Sequence, residues 1–228
     1  NIIWVVGHQI HNSYRVTRQT RTVMDLQIIW YKYLIIHLSL SNFGKKIIKM
    51  KVTVVGAGNV GATCADVLAY KEIANKIVLV DIKEGLSEGK SLDIFQKAPI
   101  NLYDTKIIGS TNDYSKTKNS DVVVITSGLP RKPGMSRDDL IETNSKIVKS
   151  VTENIIKYSP DCIIIIVSNP LDVMTYQAHL TSQFSRERVM GMAGILDTSR
   201  FRAFLADELN VSPKDIQSLL LGGHGDTM

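Results

Sequence analysis

Residues 51–81 read KVTVVGAGNVGATCADVLAYKEIANKIVLVD, and this order leaves a chain few ways to fold. A short β-branched run, KVTVV, passes directly into GAGNVG. The helix-forming stretch ATCADVLAY follows, and then a second apolar run, KIVLVD. Strand, glycine turn, helix and strand in about 30 residues describe a βαβ unit, whose strands are parallel. Within the turn, Gly56 permits a sharp reversal, Gly58 lets backbone approach a bulky anion, and Gly61 lets the helix lie close on the strand. The helix N-terminus adds free amides and a positive dipole end, so Gly56, Ala57, Gly58, Asn59, Val60 and Gly61 form a cradle for phosphates.

A glycine-rich turn alone is weak support for nucleotide binding. Here it has a strand before it, a helix after it, and an acid, Asp81, 20 residues beyond Gly61. Asp81 at a strand end is placed to accept hydrogen bonds from a ribose hydroxyl, and its charge would repel a 2′-phosphate. The expected cofactor is therefore NAD rather than NADP.

The alternation continues beyond Asp81. Lys106–Gly109, Asp121–Ser127, the fully apolar CIIIIVS (Cys162–Ser168) and RVMGMA (Arg188–Ala193) read as strands. DDLIETNSKIVKSVTENIIKY reads as a long helix with Leu140, Ile147, Val148, Val151 and Ile155 on one face, and LDVMTYQAHL as another. Apolar strands alternating with helices predict an α/β fold built on a doubly wound parallel sheet.

Composition limits the partners. Seven of the 27 Lys/Arg but only one of the 22 acids, Asp25, lie in residues 1–49, so the remaining body is nearly neutral. Nothing there suggests nucleic acid. Cys64 and Cys162 lack metal-type or disulfide-framework spacing, so two buried thiols in a reducing compartment are expected, and no metal site. The apolar run Ile28–Leu40 is too short, and with Lys32 and His37 too polar, to span a membrane.

The leader, residues 1–49, does not match the body. It holds both tryptophans, Trp4 and Trp30, and is basic and nearly acid-free. Two readings stand: an organellar transit peptide, or translated upstream DNA rather than natural protein. The bias toward Ile, Asn, Lys, Tyr and Leu, a start at Asn1 and the placing of Met50 directly before the first strand favour the second.

Four further stretches hold residues suited to chemistry: LPRKPGMSR with Arg131 and Arg137, VSNPLD with Asn169, GILDTSR with Asp197 and Arg200, and GGHGD with His224. The first two follow strands, where open α/β sheets bind ligands. Each has a plainer reading: a solvated basic turn, a turn asparagine before proline, a helix-start acid with its local partner, a histidine filling a glycine turn.

Together, in the order GAGNVG, LPRKPGMSRDDL, SNPLDVMT, LDTSRFR and GGHGDTM, these motifs resemble the lactate/malate dehydrogenases, and among them the lactate-dehydrogenase-like malate dehydrogenases. The resemblance runs from Met50 to Met228. It implies that His224 is the acid/base, with Asp197 holding its tautomer, and that Arg200 grips a substrate carboxylate. Asn169 would bond the reacting oxygen or the substrate, and Arg137 would polarise the carbonyl from a closing loop. Asn144 and the backbone of Val167, Ser168 and Asn169 would border the nicotinamide half of NAD. The family's lactate enzymes carry glutamine where Arg131 stands, whereas its malate enzymes carry arginine. A second cation asks for a second carboxylate, so malate and oxaloacetate are the expected substrates, as in the tricarboxylic acid cycle. Lactate or another 2-hydroxy acid is the alternative substrate, and a catalytically silent NAD-binding module the alternative from another class.

The resemblance also implies a domain plan: leader 1–49, disordered or artefactual by composition; an NAD-binding Rossmann domain over 50–193; and, over 194–228, the beginning of a truncated α+β substrate domain. It implies a cytoplasmic homodimer or homotetramer when full length, or an organellar matrix enzyme if the leader is a transit peptide. The truncated chain is expected to bind NAD but turn over slowly.

Overall fold

The computed structural model describes residues 3–6, 50–130 and 133–224. Seven of its eight strands belong to the body: β2 (Lys51–Val55), β3 (Lys76–Asp81), β4 (Lys106–Thr111), β5 (Val122–Ile125), β6 (Ile163–Ile166), β7 (Val189–Gly191) and β8 (Ile216–Leu219). Within the leader, Ile3–Val6 form β1, which pairs in parallel with β8 from Ile3↔Ile216 to Val6↔Leu219. The expectations for the rest of the leader fall outside the described residues.

Strands β2 to β7 form one parallel sheet in the order β4-β3-β2-β5-β6-β7. The chain builds outward from β2 in one direction, then crosses to β5 and builds outward in the other. This reversal opens a crevice between the carboxyl ends of β2 and β5. The doubly wound α/β sheet expected from the alternation is thus the sheet observed.

Both faces of the sheet are covered, which is why β3, β5 and β6 run largely apolar rather than alternating. Helices α1 (Asn59–Tyr70) and α2 (Leu86–Gln96) enclose a cluster around Val52, Val54, Ala65, Ile77, Leu79 and Ile94. On the opposite face, α3 (Arg137–Tyr158) and α4 (Leu171–Ser182) bury Val148, Val151, Ile155 and Met174 against Val123, Ile125, Ile164 and Ile166. Leu140 and Ile147, expected on the same face of α3, are partly buried. Helix α5 (Gly194–Glu208) follows β7 and leads to β8.

Helix α2 gives no strong apolar period in the sequence, and its packing shows why. It lies on the sheet through small residues, Ser87 and Ser91, and a Cβ at Gly109 of β4 would come within 2.3 Å of the Glu88 backbone nitrogen. Backbone approach at Gly109, together with Ile94 in the core, seats it. The strands expected over 121–127 and 162–168 contract to four residues each, although flanking residues go on bonding across the sheet and to the loop beyond it. Thr126 N–H donates to Val55 O at 2.8 Å, and Ser168 Oγ donates to Ser127 O at 2.6 Å.

Arg188 closes the far edge, donating to the carbonyls of Pro160 and Cys162 while its guanidinium stacks 3.8 Å from the Phe184 ring. Cys162 beneath it is fully buried, and burial pushes its thiol up to about 11; the half-buried Cys64 thiol is raised for the same reason. A pKa near 11 leaves about one thiol in a thousand ionised at pH 8. Cys162 should therefore resist iodoacetamide at pH 8 until the chain is unfolded. Mass-spectrometric detection of rapid Cys162 alkylation in the folded chain would contradict this.

Candidate active site

Gly56 takes φ +103°, a conformation open mainly to glycine, and its N–H donates to Val80 O at 2.7 Å. A Cβ there would strike Thr126 Oγ1 at 2.7 Å, and one at Gly61 would stand 1.8 Å from Gly56 O. Turn and helix thus touch through two missing side chains. Gly58 differs: a Cβ on it would meet nothing within 4 Å, so its surface is open. Helix α1 starts there with no side-chain cap and no acid in its first turn. Open backbone at an uncapped helix N-terminus suits a pyrophosphate, so the residues present fit the expected dinucleotide.

Asp81 ends β3 beside this turn. Its Oδ2 accepts the Ala57 N–H at 2.6 Å and its Oδ1 accepts the Lys83 N–H at 2.9 Å. The carboxylate therefore braces the glycine turn.

Two loops after β5 and β6 form the other wall. Asn144 of α3, 1% exposed, joins them. Its Oδ1 accepts the Leu129 N–H at 2.8 Å, and its Nδ2 donates to Leu129 O at 3.2 Å and to Asn169 O at 2.7 Å. The Asn144 amide is engaged with backbone, so it sets where the loops lie. Val167 N–H donates to Ile125 O, Ser168 is buried, and Asn169 stands exposed at the sheet's carboxyl edge before a cis bond to Pro170.

The turn after β8 brings His224 back to this edge. His224 Nδ1 lies 2.9 Å from Asp197 Oδ2, and Arg200 Nη1 donates to Asp197 Oδ1 at 3.3 Å. An ionised carboxylate only accepts, so Nδ1 carries the hydrogen in this contact. Asp197 is not the helix N-cap of the plainer reading, since Ala193 holds that position and Asp197 lies in the first turn. Its side chain is 13% exposed against 59% for Arg200, so the acid is sheltered while the arginine reaches outward.

Arg131 lies outside the described residues, and Arg137 is the first residue of α3, within a Ser136–Asp139 capping box. Among the described residues no His, Cys, Asp or Glu cluster could hold a metal, and no helix is long and apolar enough to cross a membrane. Sequence reasoning misses two residues at the site. Asp172 accepts the His224 N–H at 3.2 Å, and Thr198 Oγ1 accepts the Leu220 N–H at 3.0 Å. An acid in a helix's first turn is too common to stand out by itself.

Residues 50–191 match the family described as lactate/malate dehydrogenase, NAD binding domain. Over 179 residues the chain is 75% identical to the malate dehydrogenase of Cytophaga hutchinsonii, taking in 78% of this chain and 57% of that protein. The solved malate dehydrogenase of Salinibacter ruber superposes with a TM-score of 0.73 at 55% identity, covering 78% of this chain and 55% of that one. The lactate dehydrogenase of Cryptosporidium parvum, complexed with lactic acid and nicotinamide adenine dinucleotide, gives 0.74 at 39% identity, covering 79% and 56%. The chain thus spans little more than half the length of the curated relatives it matches.

The turn geometry carries a direct test. Gly61→Ala forces a methyl into the Gly56 carbonyl, so α1 must shift or the turn must open. Overpacking of this kind should cost about 2–3 kcal/mol in a urea unfolding experiment. Gly58→Ala, facing open space, should cost less than about 1 kcal/mol. Equal losses at the two positions would contradict the packing described.

Proposed function

Because the chain belongs to the lactate/malate dehydrogenase family, we propose that it carries the cofactor cradle and the acid/base group of an NAD-dependent malate dehydrogenase, which interconverts malate and oxaloacetate. The observation that carries this reading is the His224–Asp197 contact of 2.9 Å at the carboxyl edge of a nucleotide-type sheet. NAD, when bound, supplies the hydride acceptor. The open backbone at Gly58 and the bare N-terminus of α1 support pyrophosphate binding there. Asp81 supports NAD over NADP by the charge argument.

The remaining work falls to side chains. In malate oxidation, His224 Nε2 takes the substrate's hydroxyl proton, and the resulting imidazolium is stabilised by Asp197 at Nδ1. Arg200 spends Nη1 on Asp197 and keeps further donors for a substrate carboxylate. Asn169 bonds the reacting oxygen or the substrate, and Arg137, from the loop end of α3, polarises the carbonyl in the reverse direction. Arg131 receives the second carboxylate. That residue, with the 75% identical malate dehydrogenase relative, favours malate over lactate.

The proposal extends to setting. Two unpaired thiols support a reducing compartment, and we assign the cytoplasm. Val60, Val67 and Tyr70 are exposed along α1, which supports a homodimer or homotetramer.

Substitution of Arg131 tests the substrate assignment. The full-length enzyme should reduce oxaloacetate far faster than pyruvate, and Arg131→Gln should lower its oxaloacetate kcat/KM while raising that for pyruvate. Losing a charge-assisted pair to the second carboxylate should cost about 2–4 kcal/mol, roughly 30- to 1000-fold. An equal loss on both substrates would instead assign Arg131 to supporting the loop. His224→Gln should lower malate turnover by at least about 1000-fold with NAD affinity retained, measured by NADH appearance and by NAD titration.

A further inference from the structure

Two glycines, Gly222 and Gly223, precede His224, and Gly222 takes φ +151°. Glycine segments lose the most conformational freedom on ordering, yet an acid/base group must be held to within about 0.5 Å. Something other than the turn's own side chains must fix the main chain here. Two of the tethers come from α5: Thr198 Oγ1 on the Leu220 N–H at 3.0 Å, and Asp197 on the His224 ring at 2.9 Å. The third comes from α4, where Asp172 Oδ2 accepts the His224 backbone N–H at 3.2 Å.

Asp172 is well founded for such a task. Its neighbour Leu171 is 4% exposed and Met174 on the next turn is fully buried, so the first turn of α4 is packed into the sheet's core. Just upstream, Asn144 holds the Asn169 carbonyl at 2.7 Å. One short segment, Asn169 to Asp172, is therefore fixed to the long helix α3 at one end and to the His224 main chain at the other. The ring contact with Asp197 sets how the imidazole is turned. The backbone contact with Asp172 sets where it stands relative to the crevice.

We propose that Asp172 is a positioning residue that anchors the His224 main chain to the nucleotide-binding sheet. This rests on the reading of His224 as the acid/base group. A carboxylate accepting a backbone N–H makes a charge-assisted bond, but Asp172 also stabilises α4 as a first-turn acid, and the test must separate the two. The substitution Asp172→Asn keeps a side-chain acceptor at the same reach and Asp172→Ala does not, while both variants lose the charge.

Amide exchange of the 228-residue chain, followed by NMR, decides this without cofactor or turnover. Asp172→Ala should speed exchange of the His224 amide at least tenfold and broaden the His224 ring nitrogen signals, while Met174 and Ala178 of α4 stay within about twofold of the parent. Asp172→Asn should restore His224 exchange to within about threefold of the parent. Unchanged His224 exchange in the alanine variant would overturn the proposal. So would equal loosening in the two variants, or loosening shared by all of α4, since each would assign Asp172 to helix stability. Whether His224 moves a proton is decided separately by turnover of His224→Gln, so the two claims can fail independently.

Discussion

The contact on which the rest of the site depends is made by an absence. Helix α1 can lie on the glycine turn only because Gly61 has no side chain where Gly56 O stands 1.8 Å from the nearest possible Cβ. That closeness fixes the direction of α1, and so aims its uncapped N-terminus into the crevice between β2 and β5. A larger residue would push the helix away, and the amides and dipole that suit a phosphate would point elsewhere. The carboxylate of Asp81 then ties β3 to the same turn through the Ala57 N–H. The proposed specificity-bearing acid and phosphate cradle are thus one mechanical unit.

The proposed acid/base group reaches this unit from farther along the chain. His224, Asp197 and Arg200 lie after the parallel sheet is finished, on α5 and the turn beyond β8. Asp197 divides its two oxygens between the imidazole and the guanidinium. One sheltered carboxylate therefore contacts both the imidazole and the proposed carboxylate anchor. Asn144 performs the matching task for the opposite wall, joining the loops after β5 and β6 with three backbone contacts from one buried amide.

Much of this was legible in the sequence where a residue type has few alternative uses. Gly56, Gly58 and Gly61 between two β-branched runs specify the turn, and four isoleucines in a row at Ile163–Ile166 specify a strand covered on both faces. The proposed catalytic residues were picked out by motif order, and the structure brings His224, Asp197 and Arg200 together. What escaped was set by backbone rather than by pattern. Helix α2 packs through serines against Gly109, so no apolar stripe announces it. Asp172 looks like any first-turn acid until the fold places the His224 N–H beside it. The Asn144 amide is directed at backbone carbonyls whose positions no spacing rule foretells.

We propose that residues 50–130 hold the pyrophosphate and ribose end of a dinucleotide cradle, with the cofactor preference set there by Asp81. Calorimetric titration of NAD and of NADP onto the 228-residue chain tests it most directly. The account predicts saturable NAD binding with NADP at least about tenfold weaker, since a 2′-phosphate would face the Asp81 carboxylate. Absence of NAD binding by the folded chain, or equal affinity for the two cofactors, would contradict it.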